Sequence, residues 1–314
     1  MGEAAATRGG AAPPPPSGDQ VELVHTGHRA VIVAVGGGIR EYTLHGAAIL
    51  DGYGVDEMCD GARGQLLLPW PNRLGDGRYS WRGRELQLPL TEPERSNAIH
   101  GLTRWLRWDV LERGNGRCRL GLELPPQPGY PFQLGLQAEY GLGGNGLTVT
   151  ITAENMGSEP LPYGAGAHPY VTAGVAVDDA LLRIPAGSYF RTDHRQLPVG
   201  RQPVEGSEYD FREPRRIGAM KLDTAFADLI ADPDGMTRVQ VSGERGRTLT
   251  VWMDANHRYV MAFTGDTLAE HRRRRSVGIE PMTCAPNAFR SGDGLITLEP
   301  GERCVVRWGI VAEG

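Results

Sequence analysis

Apolar residues recur at every second position over long stretches of this chain, and almost nowhere at the spacing of an amphipathic helix. Cys118, Leu120, Leu122 and Leu124 form one such run; Leu147, Val149 and Ile151 form another, and Leu249, Val251 and Met253 a third. Successive side chains of a strand point to opposite faces, so this period marks strands with one face buried. More strand-like runs lie at 28–35, 134–140, 258–264, 277–280 and 303–311, separated by Gly, Pro, Asp and Asn clusters that favour tight turns. Many short strands with few helices predict an all-β fold, a large antiparallel β-sandwich or barrel, and argue against the alternating β-α units of a dinucleotide-binding domain. The triplet Gly36 to Gly38 has neither the G-x-G-x-x-G spacing nor a following helix, and reads as a hairpin turn.

The 314 residues would ordinarily divide into about two domains, but β-sandwiches often reach 200 to 250 residues as one unit. Residues 1–20 hold small side chains, a four-proline run and no apolar period, so they are expected to form a disordered tail, with 21–314 as a single domain. With 33 Lys and Arg against 38 Asp and Glu, the net charge is -5, and no sustained basic face exists for a nucleic acid or an anionic membrane. A small molecule is the expected ligand. No apolar run approaches a membrane span and no secretory core precedes the first strand, so a cytoplasmic protein is expected. Cys59, Cys118, Cys284 and Cys304 form no C-x-x-C pair, which predicts reduced thiols and no zinc site.

Four segments break the alternation and gather polar and aromatic residues: 66–81 (LLLPWPNRLGDGRYSW), 97–108 (NAIHGLTRWLRW), 164–170 (GAGAHPY) and 277–289 (VGIEPMTCAPNAF). Loops on a rigid sheet are where binding and catalytic groups commonly sit. Glu280 ends an apolar run and precedes Pro281, which places a carboxylate at a sheet edge; partial burial would raise its pKa and suit it to act as a base. His168 follows a small-residue run that permits close backbone approach and precedes Pro169 and Tyr170, which predict an extended exit. An imidazole there could exchange protons near neutral pH, and His100 is a second candidate. Read one at a time, Glu280 is more often a solvent-exposed strand-end carboxylate, and each histidine more often a hydrogen-bonded structural residue.

Together the segments resemble the aldose 1-epimerase (galactose mutarotase) family over nearly the whole chain after the tail. The matches are PNR at 71–73, IHG at 99–101, AHPY at 167–170, LD at 222–223 and IEPMT at 279–283. PWPNRLGDGRYSW, NAIHGL and EPMTCAPNAF further resemble a bacterial subgroup that includes a sulfoquinovose mutarotase. The resemblance implies a galactose mutarotase-like supersandwich with an open groove, and interconversion of α and β anomers of a free hexose without cofactor or metal. It implies Glu280 as the base on the C1 hydroxyl and His168 as the acid on the ring oxygen, with His100 bonding near that oxygen. Arg73 and Asp223 would hold sugar hydroxyls, Asn72 would orient Arg73, and Trp70, Trp105 and Tyr170 are candidates to face the ring. The run HRRRR at 271–275 departs from the family pattern; it is either a solvated loop or a contact for an anionic substituent such as a sulfonate or carboxylate, and it leaves open an isomerase of phosphorylated hexoses. A non-catalytic carbohydrate-binding sandwich and a glycosidase pairing Asp223 with Glu280 remain as alternatives.

Overall fold

The alternating segments form the longest strands. Arg117–Leu124, Leu134–Gly143 and Gly146–Asn155 run antiparallel in sequence order, with Leu120 facing Ala138 and Tyr140 facing Val149. Their inward positions, among them Leu134, Leu136, Ala138 and Tyr140, are buried, while Gln137 on the opposite face is exposed. The computed structural model describes residues 13–243 and 247–313. In it these strands belong to a nine-stranded antiparallel sheet that continues through Arg303–Glu313, Thr248–Met253 and Thr237–Ser242.

An eight-stranded sheet carries Ala186–Thr192, Asp223–Leu229, Tyr259–Phe263 and Val277–Met282 as successive neighbours. Its two faces differ. Val260, Ala262, Val277 and Ile279 join the main core, whereas Tyr259, Met261, Met282, Ala225 and Ala227 form a smaller apolar cluster on the other face. Glu280 is opposite Met261 and Asp223 opposite Phe263 in the ladder, so the strand period puts these carboxylates on that second face. A four-stranded sheet from Gln20–His25 to Ala47–Ala48 completes the major layers. Helix is nearly absent: Ala288–Ser291 is one turn, and no helix among the described residues is long and apolar enough to cross a membrane. The antiparallel all-β architecture expected from the alternation is present, and Gly36 and Gly37 do make the turn between His28–Val33 and Ile39–Leu44, at φ of 79° and 56°.

The start of the chain differs in part from expectation. Residues 1–12 of the expected tail lie outside the described residues. Ordered packing begins before residue 21: the Val35 and Ala34 amides donate to the Ser17 and Asp19 carbonyls, Ser17 is buried, and the first strand starts at Gln20. Backbone pairing orders this stretch although its side chains have no apolar period.

Candidate active site

Glu280 lies inside a sheet, not at its edge as its place before Pro281 had implied. Val277–Met282 pairs with Tyr259–Phe263 on one side and with Gly166–Ala167 and Tyr170–Val171 on the other. On that second side the Ile279 and Thr283 amides donate to Pro169 and Ala165, and Pro281 between them has no N–H to give. The ladder therefore opens opposite 167–169, where His168 departs from regular pairing. Proline here is tolerated because it coincides with that interruption. Gly278 makes room: a Cβ there would stand 3.2 Å from His168 Cε1. Gly166 does the same for Pro71, whose Cβ would be 2.7 Å from an added methyl.

His168 Nε2 stands 3.2 Å from Glu280 Oε1, with the two residues only 4% and 2% exposed. Burial pushes the Glu280 carboxyl up to about 8, with nearby Asp223 adding to the rise and Arg73 opposing it. Burial pulls His168 down to about 3, helped by the positive charges of Arg63, Arg104 and Arg73. At neutral pH the pair thus holds one proton, on the carboxyl. Glu280 Oε2 and His168 Nδ1 are buried without a hydrogen-bond partner among the described residues.

Two left-handed residues bring the other candidates in. Asn72 (φ 58°) and His100 (φ 62°) face each other at one end of the short ladder between Arg73–Gly75 and Asn97–Ile99. The Asn72 amide donates to His100 Nδ1 at 3.2 Å, the His100 amide donates to the Asn72 carbonyl, and Asn72 Oδ1 accepts the Arg73 amide at 2.8 Å. An imidazole that accepts at Nδ1 carries its proton on Nε2, so His100 is set as a donor. Burial, reinforced by Arg104, His168 and Arg73, holds its pKa well below the usual histidine value. Arg73 is clamped by Glu92, with Nε at 2.9 Å and Nη2 at 3.1 Å from its two oxygens, and its Nη2 is 3.6 Å from Asp223 Oδ2.

Seven of the sequence candidates, Asn72, Arg73, His100, His168, Tyr170, Asp223 and Glu280, line one cleft of about 410 Å³. Glu92, Arg104, Phe263, Thr267 and Leu268 line it as well. Clefts of about 680 and 520 Å³ lie elsewhere, but neither contains a buried carboxyl-imidazole pair, so chemistry rather than volume selects the site. His100, His168 and Glu280 offer donor atoms within 4.8 Å of one another, the spacing of a metal cluster. Their surroundings do not suit one: a ligating imidazole donates its other N–H to an acceptor, whereas His168 Nδ1 has none and His100 Nδ1 faces an N–H.

Three of the sequence candidates lie outside the cleft. Trp70 is 3% exposed and packs on Phe289 at 5.3 Å between ring centres, so it belongs to the core. Trp105 is 54% exposed and lies outside the cleft lining. No arginine of the 272–275 run lines the cleft. Arg272 is bound to Glu57 and the Gly52 carbonyl, and Arg274 to Asp178 and Asp266, so these two tie the loop down. A second cationic group besides Arg73 does line the cleft: Arg104, within the NAIHGLTRW segment but carrying no signal of its own there.

A family model described as Aldose 1-epimerase matches residues 19–308. A relative from Escherichia coli (strain K12), the uncharacterized protein YihR, is 34% identical over 288 residues, 91% of each chain. Among solved structures, a GalM/aldose epimerase homologue from C. elegans aligns with a TM-score of 0.84 at 14% identity, covering 94% of this chain and 98% of that one. Galactose 1-epimerase from Lactobacillus acidophilus NCFM aligns at 0.77 and 22% identity, covering 92% of each chain. The last two likenesses speak to the fold, and the first match, spanning nearly every described strand, speaks to descent: the chain belongs to the aldose 1-epimerase family.

Proposed function

We propose that the protein is a mutarotase that opens and recloses the ring of a free aldohexose by proton transfer between Glu280 and His168. The observation that carries this is the buried pair itself: 3.2 Å apart, sharing one proton at neutral pH, each with a free polar atom, at the floor of a cleft that also presents Arg73 and Asp223. Ring opening removes the C1 hydroxyl proton to the Glu280 carboxylate as the O–H electrons become the C1 carbonyl. The C1 to ring-oxygen pair passes to that oxygen, which takes a proton from His168. After rotation about C1–C2 the transfers reverse on the other face. Opening leaves a protonated carboxyl and a neutral imidazole, which is the resting form of the free site; the resting pair is therefore poised for reclosure, and one internal proton shift prepares it for opening.

His100 offers Nε2–H to the ring oxygen, and Arg73 and Asp223 hold hydroxyls so that the reacting bond lies across the pair. Asn72 orients both Arg73, through its backbone, and His100. Tyr170 backs the His168 ring at 4.6 Å with 10° between planes. The cytoplasm is the proposed setting, where the four unpaired cysteines would stay reduced. Polarimetry on freshly dissolved α-glucose and α-galactose tests the activity, and methyl glycosides serve as the counter-test. Faster anomer equilibration with no sugar released from the glycosides is the expected result; release of free sugar would favour a hydrolase, and binding without acceleration a carbohydrate-binding protein.

One observation favours a narrower substrate. Arg104 is half-buried in the cleft, and no carboxylate pairs with its guanidinium among the described residues. An arginine without a carboxylate partner, partly desolvated beside the reacting groups, suits a sulfonate, phosphate or carboxylate on the sugar, through its donor fork. On this reading Arg104→Gln lowers kcat/KM for sulfoquinovose at least ~10-fold more than for glucose. Equal losses for both sugars would leave only the neutral-hexose reading.

A further inference from the structure

Two more planar groups are stacked on the face of His168. The Tyr170 ring lies on the imidazole, and the Arg63 guanidinium lies on Tyr170 with its central carbon 4.1 Å from the ring centre. Arg63 is 2% exposed and is not part of the cleft lining, so a bound sugar would not touch it. Its place is set on three sides. Nη1 donates to Asp51 Oδ2 at 2.9 Å and to the Asp51 carbonyl at 3.0 Å, and Nε donates to Asp60 Oδ1 at 3.2 Å. Asp51 is held in turn by Ser276 Oγ at 3.1 Å and faces Arg272 at 3.6 Å. The remaining guanidinium nitrogen, Nη2, is buried with no partner among the described residues. A buried arginine with an unsatisfied donor is costly, and it is retained against a ring that touches the reacting histidine.

The backbone of the same loop grips the other side of the stack. The His168 amide donates to the Gln65 carbonyl and the Gly64 amide to the His168 carbonyl, while the Tyr170 hydroxyl donates to the Gly61 carbonyl at 2.9 Å. The segment 61–65 thus fixes residues 168 and 170 by main chain and by side chain together. We propose that Arg63 is a positioning residue for the reaction, acting through the Tyr170 ring to fix the His168 imidazole plane opposite Glu280 and to bias the shared proton toward Glu280. This rests on the mutarotase reading for its use, although its physical content, the location of a proton, does not depend on turnover.

The charged and titratable groups around His168 are Glu280 in front, His100 edge-on at 5.5 Å, Arg104 and Arg73 from the cleft wall, and Arg63 behind Tyr170 with its counter-charges Asp51 and Asp60. Asp223 acts on the Glu280 side of the pair. The three arginines all disfavour the imidazolium, and Arg63 is the largest of them. Two ring spacings away in a medium of intermediate dielectric, removing that charge shifts the imidazole equilibrium by about one pH unit.

The test is ¹⁵N NMR of the His168 imidazole in full-length protein, run beside anomer-exchange kinetics. In Arg63→Gln the His168 titration moves up by about one pH unit and the acid limb of kcat follows it, while loss of the stack that fixes the imidazole plane lowers kcat, with KM unchanged, despite the easier proton shift to His168. Arg63→Lys keeps the charge but not the flat stack, so it retains most of the wild-type titration while kcat still falls. Asp51→Asn, which leaves the Arg63 charge less compensated, moves the titration the opposite way and covers the case in which Arg63→Gln does not fold. A His168 titration unchanged in folded Arg63→Gln, or moved in the same direction by Asp51→Asn, overturns the proposal. Loss of the mutarotase reading would show separately, as an absence of anomer exchange in the wild type with these NMR shifts intact.

Discussion

The meander from Arg117 to Asn155 and the segments around the cleft are built from the same kind of antiparallel pairing, yet they obey the strand period to very different degrees. In the meander, register runs without a shift through two ladders, from Arg117 opposite Gly141 to Gly143 opposite Gly146, and the inward face is apolar until Asn155 at its end, whose side chain is buried and hydrogen-bonded. Around the cleft, the ladders flanking His168, His100 and Arg73 last one to three residues, Pro281 interrupts another, and Asn72, His100 and Asn287 take left-handed backbone conformations. The first region uses burial to specify a shape. The second gives up part of that regularity to place a carboxyl, two imidazoles and an arginine in one pocket, a buried polar arrangement that stability alone would not select.

Substitutions should separate the two regions. Glu280→Gln is expected to keep the fold and slow anomer exchange by about 10² to 10⁴, whereas Leu136→Ala, at 2% exposure in the meander, should destabilise by about 2 to 5 kcal/mol with normal kcat in the folded fraction. Urea unfolding and polarimetry on the two variants check this, and a Leu136→Ala protein that is stable but inactive would break the division.

Acidity gives the next largest contrast. The one-proton state of the pair persists from about 3 to about 8, so kcat should stay level through neutrality and fall as pH rises through about 8. Stability follows the same groups. The Glu280 carboxyl is raised from 4.5 to about 8, so the folded state binds its proton more tightly than the unfolded chain. Its stabilising contribution is complete below 4.5 and is lost as pH climbs to about 8. His168 is depressed from 6.5 to about 3, so its contribution is present above 6.5 and is lost as pH falls toward 3. Denaturation midpoints across pH should therefore decline less steeply on the alkaline side in Glu280→Gln and on the acid side in His168→Asn. Parallel curves for wild type and variants would refute a neutral carboxyl beside a neutral imidazole.

Two glycines sharpen the comparison further. A methyl at Gly278 meets His168 and Phe263 at 3.2 and 3.3 Å, and Gly278→Ala should cost roughly 10-fold or more in kcat through misplacement of the imidazole. A methyl at Gly141 meets nothing within 4 Å, so Gly141→Ala should leave kcat unchanged and stability equal or slightly higher. The smallest effect expected is from Tyr170→Phe, which keeps the ring on His168 and loses only the hydrogen bond to Gly61, about 1 kcal/mol of stability with kcat within a few-fold.

The same contrast explains how much of the molecule is legible in its sequence. Alternation locates the long strands because a half-buried strand writes its environment at every second residue. Glu280, His168, His100, Asn72, Arg73, Asp223 and Tyr170 are reached by motif order, and they do line one cleft. Arg63 and Glu92 carry no local signal, since their importance lies in contacts with Tyr170 and Arg73, 107 and 19 positions away. The arginine run leaves its role open because charge density in sequence says nothing of the carboxylates that fold against it, whereas no carboxylate pairs with Arg104 among the described residues.

Saturation transfer between the α and β anomeric protons of glucose, recorded with wild type and with folded Glu280→Gln at equal concentration, tests the central claim most directly. The account predicts transfer well above the buffer rate with wild type and close to it with the variant. Transfer at the wild-type rate in Glu280→Gln would contradict a mechanism in which this buried pair moves the proton.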